Sequence, residues 1–243
     1  SRLTENSHTS NTLSLWGQAF YKRNWYADLY FRATNQPDVL DHYSGFKRDI
    51  SRGGVNSGEI DRSVIGYRNE WVNVEFGRSR EIWGPFQSDN LLLSGKSPPY
   101  QRFMLNLSKK KFAFRYFFGY LETIFDADYV HRYMVGRALE YNNHHNLVFS
   151  LGEVSILSGP NRFPDWEFLN PIGFHLEIEQ NERENIGSEN TREGNRSNGL
   201  IFSNVDYLIE KYRLRLSGTV VIDEIQIDQA DNDEGNYNAI AFI

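Results

Sequence analysis

Trp83 is followed by Gly84 and Pro85 and stands between Arg78 and Asn90, so an indole, a guanidinium and a carboxamide occur in one short stretch. Such a set can hold a sugar: the aromatic face takes the CH-rich side of the ring, and planar polar groups hydrogen-bond its hydroxyls. The same residues also build a turn, because Gly84 permits backbone conformations closed to other residues, Pro85 fixes its own φ, and Trp83 anchors by burial. His131, Arg132, Glu153 and Asn170 supply further polar groups. The first two read as structural partners of Glu153 or of folded-in loops rather than as a catalytic set. His8-Thr-Ser10-Asn11 places a serine near a histidine that could activate it as a nucleophile, but in a polar terminal segment. Asp231-Asn-Asp-Glu-Gly235 offers the oxygen ligands of calcium without the distal glutamate of a full loop, and reads as a solvated acidic turn. The adjacent His144 and His145 sit in an expected turn with no further ligands around them. No catalytic residue, metal or cofactor is assigned.

The elements that would carry these groups are strands. From Lys211 to Asp223, Tyr212, Leu214, Leu216, Gly218, Val220 and Ile222 form one uncharged face, and Arg213, Arg215, Ser217, Thr219 and Asp223 form the other. This is the period of a strand between two different environments. Leu13 to Tyr21, Trp25 to Ala33, Val72 to Phe76 and Phe112 to Tyr120 repeat it, always with the charges on one side. The runs extend roughly 9–12 residues, the length of a tilted strand crossing a bilayer, where a globular strand averages about 5–6. Many of the 17 Phe and 14 Tyr sit near run ends, where rings favour a membrane interface.

Connections between the runs alternate in length. Those at Lys22-Arg23-Asn24, Asn69-Glu70, Lys109-Lys110, Asn142-Asn143-His144 and Glu210-Lys211 are short; those around 36–58, 80–99, 121–129 and 156–196 are long, the last with a helix or hairpin of its own expected in Phe168 to Asn181. The expected fold is therefore all-β, an antiparallel up-and-down transmembrane barrel of about 11–12 strands with its long loops on one side, as outer-membrane barrels have. A soluble β-sandwich is the competing fold. The polar faces would turn Asp28, Arg32, Arg62, Arg68, Glu75, Arg115, Arg213, Arg215 and Asp223 toward the lumen, mostly paired with one another. Isolation would be expensive there if the lumen were dry.

Composition bounds the rest. No run of about 18 apolar residues is present, so no transmembrane helix is expected. Mean hydropathy is −0.58, compatible with a barrel because only alternate residues meet lipid. There are no cysteines to form disulfides, and the net charge of −6 offers no footprint for nucleic acid. Residues 1–243 read as a single domain, expected to be incomplete at both ends: Ser1 opens without signal-peptide features and Ile243 falls within a run that reads as a strand.

The stretch Gly77-Arg-Ser-Arg-Glu-Ile-Trp-Gly-Pro-Phe-Gln-Ser-Asp-Asn-Leu-Leu-Leu-Ser-Gly-Lys-Ser-Pro-Pro99 resembles the signature of the Wzi-like capsule-assembly family. His131-Arg132 opening a strand, Leu151-Gly-Glu153 closing the next, Phe168-Leu-Asn-Pro-Ile172 in the long excursion and Val221-Ile-Asp-Glu224 late in the chain resemble further family stretches in the same order, over roughly residues 70–230. Phe86 stands where the family commonly has a small residue. The resemblance implies a non-enzymatic barrel in the bacterial outer membrane, in contact with its lipid, that binds or retains capsular or other surface polysaccharide. It makes Trp83, Arg78, Asn90, His131, Arg132, Glu153 and Asn170 the candidate saccharide contacts. A porin-like channel, or a structural part of a larger membrane assembly, is the alternative; an outer-membrane hydrolase is the least supported. Occlusion discriminates, since loops 80–99 and 156–196 folding inward would favour binding over diffusion.

Overall fold

The computed structural model describes residues 11–36, 57–86, 90–125, 129–160, 163–164, 166–174, 196–223 and 239–242. Eleven strands form one antiparallel sheet whose spatial order is the chain order: β1 (Thr12–Tyr21), β2 (Trp25–Thr34), β3 (Ser57–Arg68), β4 (Val72–Ser79), β5 (Tyr100–Lys109), β6 (Phe112–Phe125), β7 (Tyr129–Asn142), β8 (Leu147–Pro160), β9 (Arg196–Ile209), β10 (Leu214–Asp223) and β11 (Ala239–Phe242). A single helical turn, α1 (Trp166–Leu169), lies between β8 and β9. This is an up-and-down meander whose connections at one end are all short, while those at the other are long except for the three-residue link between β6 and β7. Among the described residues β1 is hydrogen-bonded to β2 and β11 to β10, and the sheet is not closed.

The short connections are built by side chains that replace missing ladder partners. Asn69 Oδ1 accepts the Trp71 and Val72 N–H groups at 3.0 and 2.8 Å. Asn143 Oδ1 accepts those of His145, Asn146 and Leu147, each at 2.9 Å. This is the local bonding that suits asparagine to turns. His144, at φ 60°, bonds through Nε2 to the Lys110 carbonyl of the adjacent turn at 2.8 Å, so the histidine pair is part of the turn scaffold.

The two faces differ as the alternation requires. Cross-strand partners share a face, and the registers Asp28 to Val64, Gly66 to Glu75, Glu75 to Met104, Met104 to Phe117 and Phe117 to Gly136 trace one face continuously. This face is concave. Trp83, from the β4–β5 connection, touches Phe117 of β6 at 5.1 Å and Phe202 of β9 at 5.7 Å between ring centroids. Three strand spacings of about 4.8 Å would hold those two strands roughly 14 Å apart on a flat sheet. Around Trp83 pack Tyr100, Met104, Phe117, Met134, Ala138, Val154, Phe202 and Val221, which form the main core.

The convex face exposes its apolar side chains. Leu13, Leu15, Ile65, Phe76, Phe112, Leu139, Leu151, Leu214, Leu216 and Val220 all lie on it and are largely solvent-accessible. At the short-turn end it carries a row of aromatic residues, including Trp25 against Tyr67 at 5.2 Å and Phe112 against Tyr141 at 5.3 Å.

Four expectations need correction. Arg213 is not on the polar face of β10; it has φ 51° and donates its N–H to the Glu210 carbonyl at 3.1 Å, closing a 3-10 turn before the strand starts. The connections expected at 121–129 and 156–196 are shorter, because β6 continues to Phe125, β7 begins at Tyr129 and β8 runs to Pro160. Glu153 sits in the middle of β8 rather than at its close. The helical turn expected within Phe168 to Asn181 begins earlier, at Trp166.

Candidate functional site on the concave face

Residues 80–86 and 90–93 enter the concavity, and their geometry follows from three local choices. Trp83 and Leu93 form an isolated antiparallel bridge, with the Trp83 N–H donating to the Leu93 carbonyl at 3.1 Å. Gly84 has φ 141°, and a Cβ there would lie 2.2 Å from Asn90 Oδ1. Only glycine fits. Asn90 in turn accepts the Phe86 N–H at 2.9 Å and donates Nδ2 to the Phe86 carbonyl at 2.7 Å, completing the turn with a side chain. Trp83 is buried and its Nε1–H donates to Glu81 Oε2 at 3.0 Å, so its indole anchors the loop. Leu92 and Leu93 pack against the core, whereas Ile82 and Leu91 remain exposed.

A ladder of alternating charge ties this loop to four strands. Arg62 Nε donates to Asp28 Oδ2 at 3.1 Å and its Nη2 to Glu75 Oε1 at 2.8 Å. Arg102 Nη2 donates to Glu75 Oε2 at 2.7 Å, and Nη1 of the same guanidinium meets the Glu81 carboxylate. The Tyr26 hydroxyl lies 2.8 Å from both Glu75 Oε1 and Asn73 Oδ1, and Arg62 also donates to Ser79 at 2.9 Å. Three carboxylates thus share two guanidinium groups. Burial pushes the Glu81 carboxyl above the ordinary carboxylate range, and Arg102, already engaged by Glu75, offsets only part of that shift. Arg32 pairs separately with Asp61, at 2.8 Å from Nη2 to Oδ1.

Toward the short turns the concave face holds a cleft of about 250 Å³, bordered by Trp83, Pro85, Arg115, Glu140, Asn204, Asp206 and Arg215. Arg115 and Glu140 are paired at 2.9 Å. Arg215 grips Asp206 through Nε at 2.7 Å, and Ser217 donates to the same carboxylate at 2.9 Å. Charge of both signs and an indole edge meet here. Such a lining can hydrogen-bond a neutral polyol or a weakly charged sugar.

The seven candidate saccharide contacts do not converge. Trp83 and Asn90 lie in the concave-side loop, and Arg132, in register with Leu121 and Ser158, is on the concave face of β7. Arg78, His131, Glu153 and Asn170 are on the convex side. Arg78 Nε bonds the Ile60 carbonyl at 2.9 Å, and His131 Nδ1 lies 3.1 Å from the Tyr120 hydroxyl. Glu153 pairs with Arg137 at 3.3 Å, and Asn170 Oδ1 accepts the Ile172 N–H at 3.1 Å. Asp28, Arg32, Glu75, Arg115, Arg215 and Asp223 all lie on the concave face. The sequence reading missed Glu81, Arg102 and Arg137. Arg137 and Glu153 had a signal, since both interrupt the apolar phase of their strands at adjacent positions. His8 to Ser10 and Asp231 to Gly235 lie outside the described residues. Among the described residues no cluster of His, Asp and Glu is arranged to hold a metal ion. Comparison with protein-family models, curated proteins and solved structures finds no match to this chain.

Proposed function

We propose that these strands form part of the wall of a bacterial outer-membrane β-barrel, and that the protein is a non-enzymatic binder or retainer of surface polysaccharide. The observation that carries the membrane reading is the convex face. Large apolar side chains stand exposed there from β1 to β10, with Leu13 72%, Leu139 65% and Leu216 50% accessible. Contiguous apolar surface on this scale is foreign to a soluble monomer and is what a lipid-facing barrel wall presents. No described helix is long and apolar enough to cross a membrane, which leaves strands as the crossing elements of this reading.

Binding is favoured over conduction by the β4–β5 connection, whose Trp83 packs into the concavity and whose Glu81 joins the charge ladder there. The polysaccharide part rests on the resemblance of the Trp83 loop to capsule-assembly proteins, supported by the indole-edged polar cleft beside it. Heat-modifiable migration of detergent-extracted protein tests the membrane reading, and a soluble species that never partitions into detergent overturns it. Glycan arrays and capsule retention by whole cells test the ligand. Loss of neither in a variant lacking residues 161–195, between β8 and β9, together with steady conductance in planar bilayers, would replace this reading with a channel.

Among the described residues β1 and β11 run in the same direction, so they do not close on each other with the antiparallel pairing that bacterial barrels use. An exposed sheet edge is not tolerated in hydrocarbon, so this reading needs each edge covered by further strands, from the rest of the protein or from a larger assembly.

A further inference from the structure

The apolar phase of the convex face, broken by Arg78, Gln101 and His131, is also broken by an ion pair in direct register. Arg137 of β7 lies opposite Glu153 of β8, and their side chains are each 6% exposed and paired at 3.3 Å. On a bare barrel wall this pair would face hydrocarbon, which disfavours charge. It is covered instead by residues 166–173, whose Phe168, Leu169 and Gly173 lie against the outside of β6, β7 and β8. Phe168 is fully buried against Tyr116, Tyr133, Val135 and Leu157. Arg137 Nη2 donates to the Phe168 carbonyl at 3.3 Å, and the Tyr116 hydroxyl donates to the Leu169 carbonyl at 2.9 Å.

The opposite side of this strap is apolar and uncovered: Trp166 is 86% exposed, Phe163 81%, Ile172 82% and Phe174 67%. Several of its backbone groups are already satisfied or absent. The carbonyls of Phe168 and Leu169 are bonded to the wall, Asn170 Oδ1 takes the Ile172 N–H, and Pro164 and Pro171 have none to place. Irregular backbone at membrane depth requires such provision.

Height along the wall is set by the strands. Tyr116 is the fifth residue of β6, counted from the short-turn end, and Leu157 the eleventh of β8. With about 3.3 Å per residue and a tilt near 40°, the strap spans roughly 10–25 Å above the short-turn aromatic row. On an apolar band about 25 Å tall, that reaches from just below the midplane to the interface farther from the short turns. The sequence from Phe163 to Phe174 contains no Lys or Arg.

Building on the membrane reading above, we propose that residues 163–174 are an interfacial strap on the outer wall of the barrel. Trp166, Phe163, Ile172 and Phe174 meet outer-leaflet lipid, and the Arg137–Glu153 pair with Tyr116 is the strap's seat. Lipid is the occupant because these side chains continue the apolar belt of the same strands, Leu139 on β7 and Leu151 on β8. Aromatic residues at that height are what membrane interfaces select.

The chain has no cysteine, so nitroxide labels can be placed singly by Trp166→Cys, Leu139→Cys and Arg215→Cys in protein reconstituted into phosphatidylethanolamine and phosphatidylglycerol vesicles. Labels at 166 and 139 should relax with dissolved oxygen and be shielded from an aqueous nickel chelate. A label at 166 reached by nickel would mean a strap in water, and one shielded from both would mean a protein partner; either overturns the proposal while 139 still reports lipid. Failure of 139 as well would instead bring down the membrane reading. Phe168→Ala leaves the strands intact and should raise nickel access at 166 severalfold without changing 139. No change at 166 would show that the wall does not seat the strap.

Discussion

Trp83 and Phe117 meet edge to face at 5.1 Å, although one belongs to a connection and the other to the centre of β6. Phe117 has room because its cross-strand neighbour is Gly136, where a Cβ would lie 2.3 Å from the phenyl ring. The loop, the ring and the glycine form one packing unit.

Trp83→Ala should therefore act as a core truncation. A buried aromatic reduced to alanine costs about 3–5 kcal/mol, and here the loss also frees the loop. Limited proteolysis between Glu81 and Lys96 should become faster in native protein, with the heat-modification temperature lowered. Cleavage in the wild type as fast as in a denatured control would refute the packing role of Trp83.

Gly84 and Asn90 should be energetically coupled. Gly84→Ala strains a positive φ and drives a methyl into the Asn90 carboxamide, a cost of about 1–3 kcal/mol. Asn90→Ala forfeits both hydrogen bonds to the Phe86 backbone, about 1–3 kcal/mol if those groups stay buried. Removing the carboxamide also removes its two closest contacts, at 2.2 and 2.5 Å, and leaves the Cβ of residue 90 at 2.9 Å. A double-mutant cycle should give a combined loss smaller than the sum, and strict additivity would count against the turn geometry.

How far the sequence sufficed depends on whether a feature is local. Facing in β10 was legible because period 2 needs no partner: Leu214, Leu216 and Val220 point one way, Arg215 and Asp223 the other. Arg213 escaped because its direction is set by a 3-10 turn that begins three residues earlier. The inward fold of 80–86 and 90–93 was legible in Trp83, Leu92 and Leu93, too apolar for a free loop, although Ile82 and Leu91, equally apolar, stay exposed. Glu81 and Arg102 escaped, since their meeting depends on the turn that brings the loop back over β5. The seven candidate contacts were drawn from motif order, and order along the chain does not report which face of a sheet a residue occupies. Arg137 and Glu153 broke the apolar pattern visibly, yet joining them required the β7–β8 register.

Val220→Arg and Ser217→Arg should separate the two faces. Val220, the seventh residue of β10, is exposed on the convex face, and arginine facing lipid near mid-membrane costs about 2–4 kcal/mol. Ser217 faces the concave side beside Asp206, where a new guanidinium finds a carboxylate. In vesicles the first change should lower stability and the second should be tolerated. Equal effects would argue against lipid on the convex side.

The Glu81 carboxyl should give the β4–β5 loop a pH-dependent hold. Burial raises its folded-state pKa above the ordinary 4.5, so the folded form retains a proton that the unfolded form has released. Stability from this group is then fully present below 4.5 and falls as pH rises through the raised value, since folding is favoured wherever the folded state binds more protons. Proteolysis between Glu81 and Lys96 should quicken as pH climbs through that window. Glu81→Gln, neutral at every pH and still able to accept from Trp83 Nε1–H, should flatten the dependence while leaving the loop in place. Arg102→Ala should have the opposite character: it leaves Glu75 and Glu81 without their shared partner, at a cost of about 3–5 kcal/mol for a broken buried pair, and should steepen the loss on raising pH. A Glu81→Gln variant that kept the full pH dependence would show that the hold lies elsewhere in the ladder.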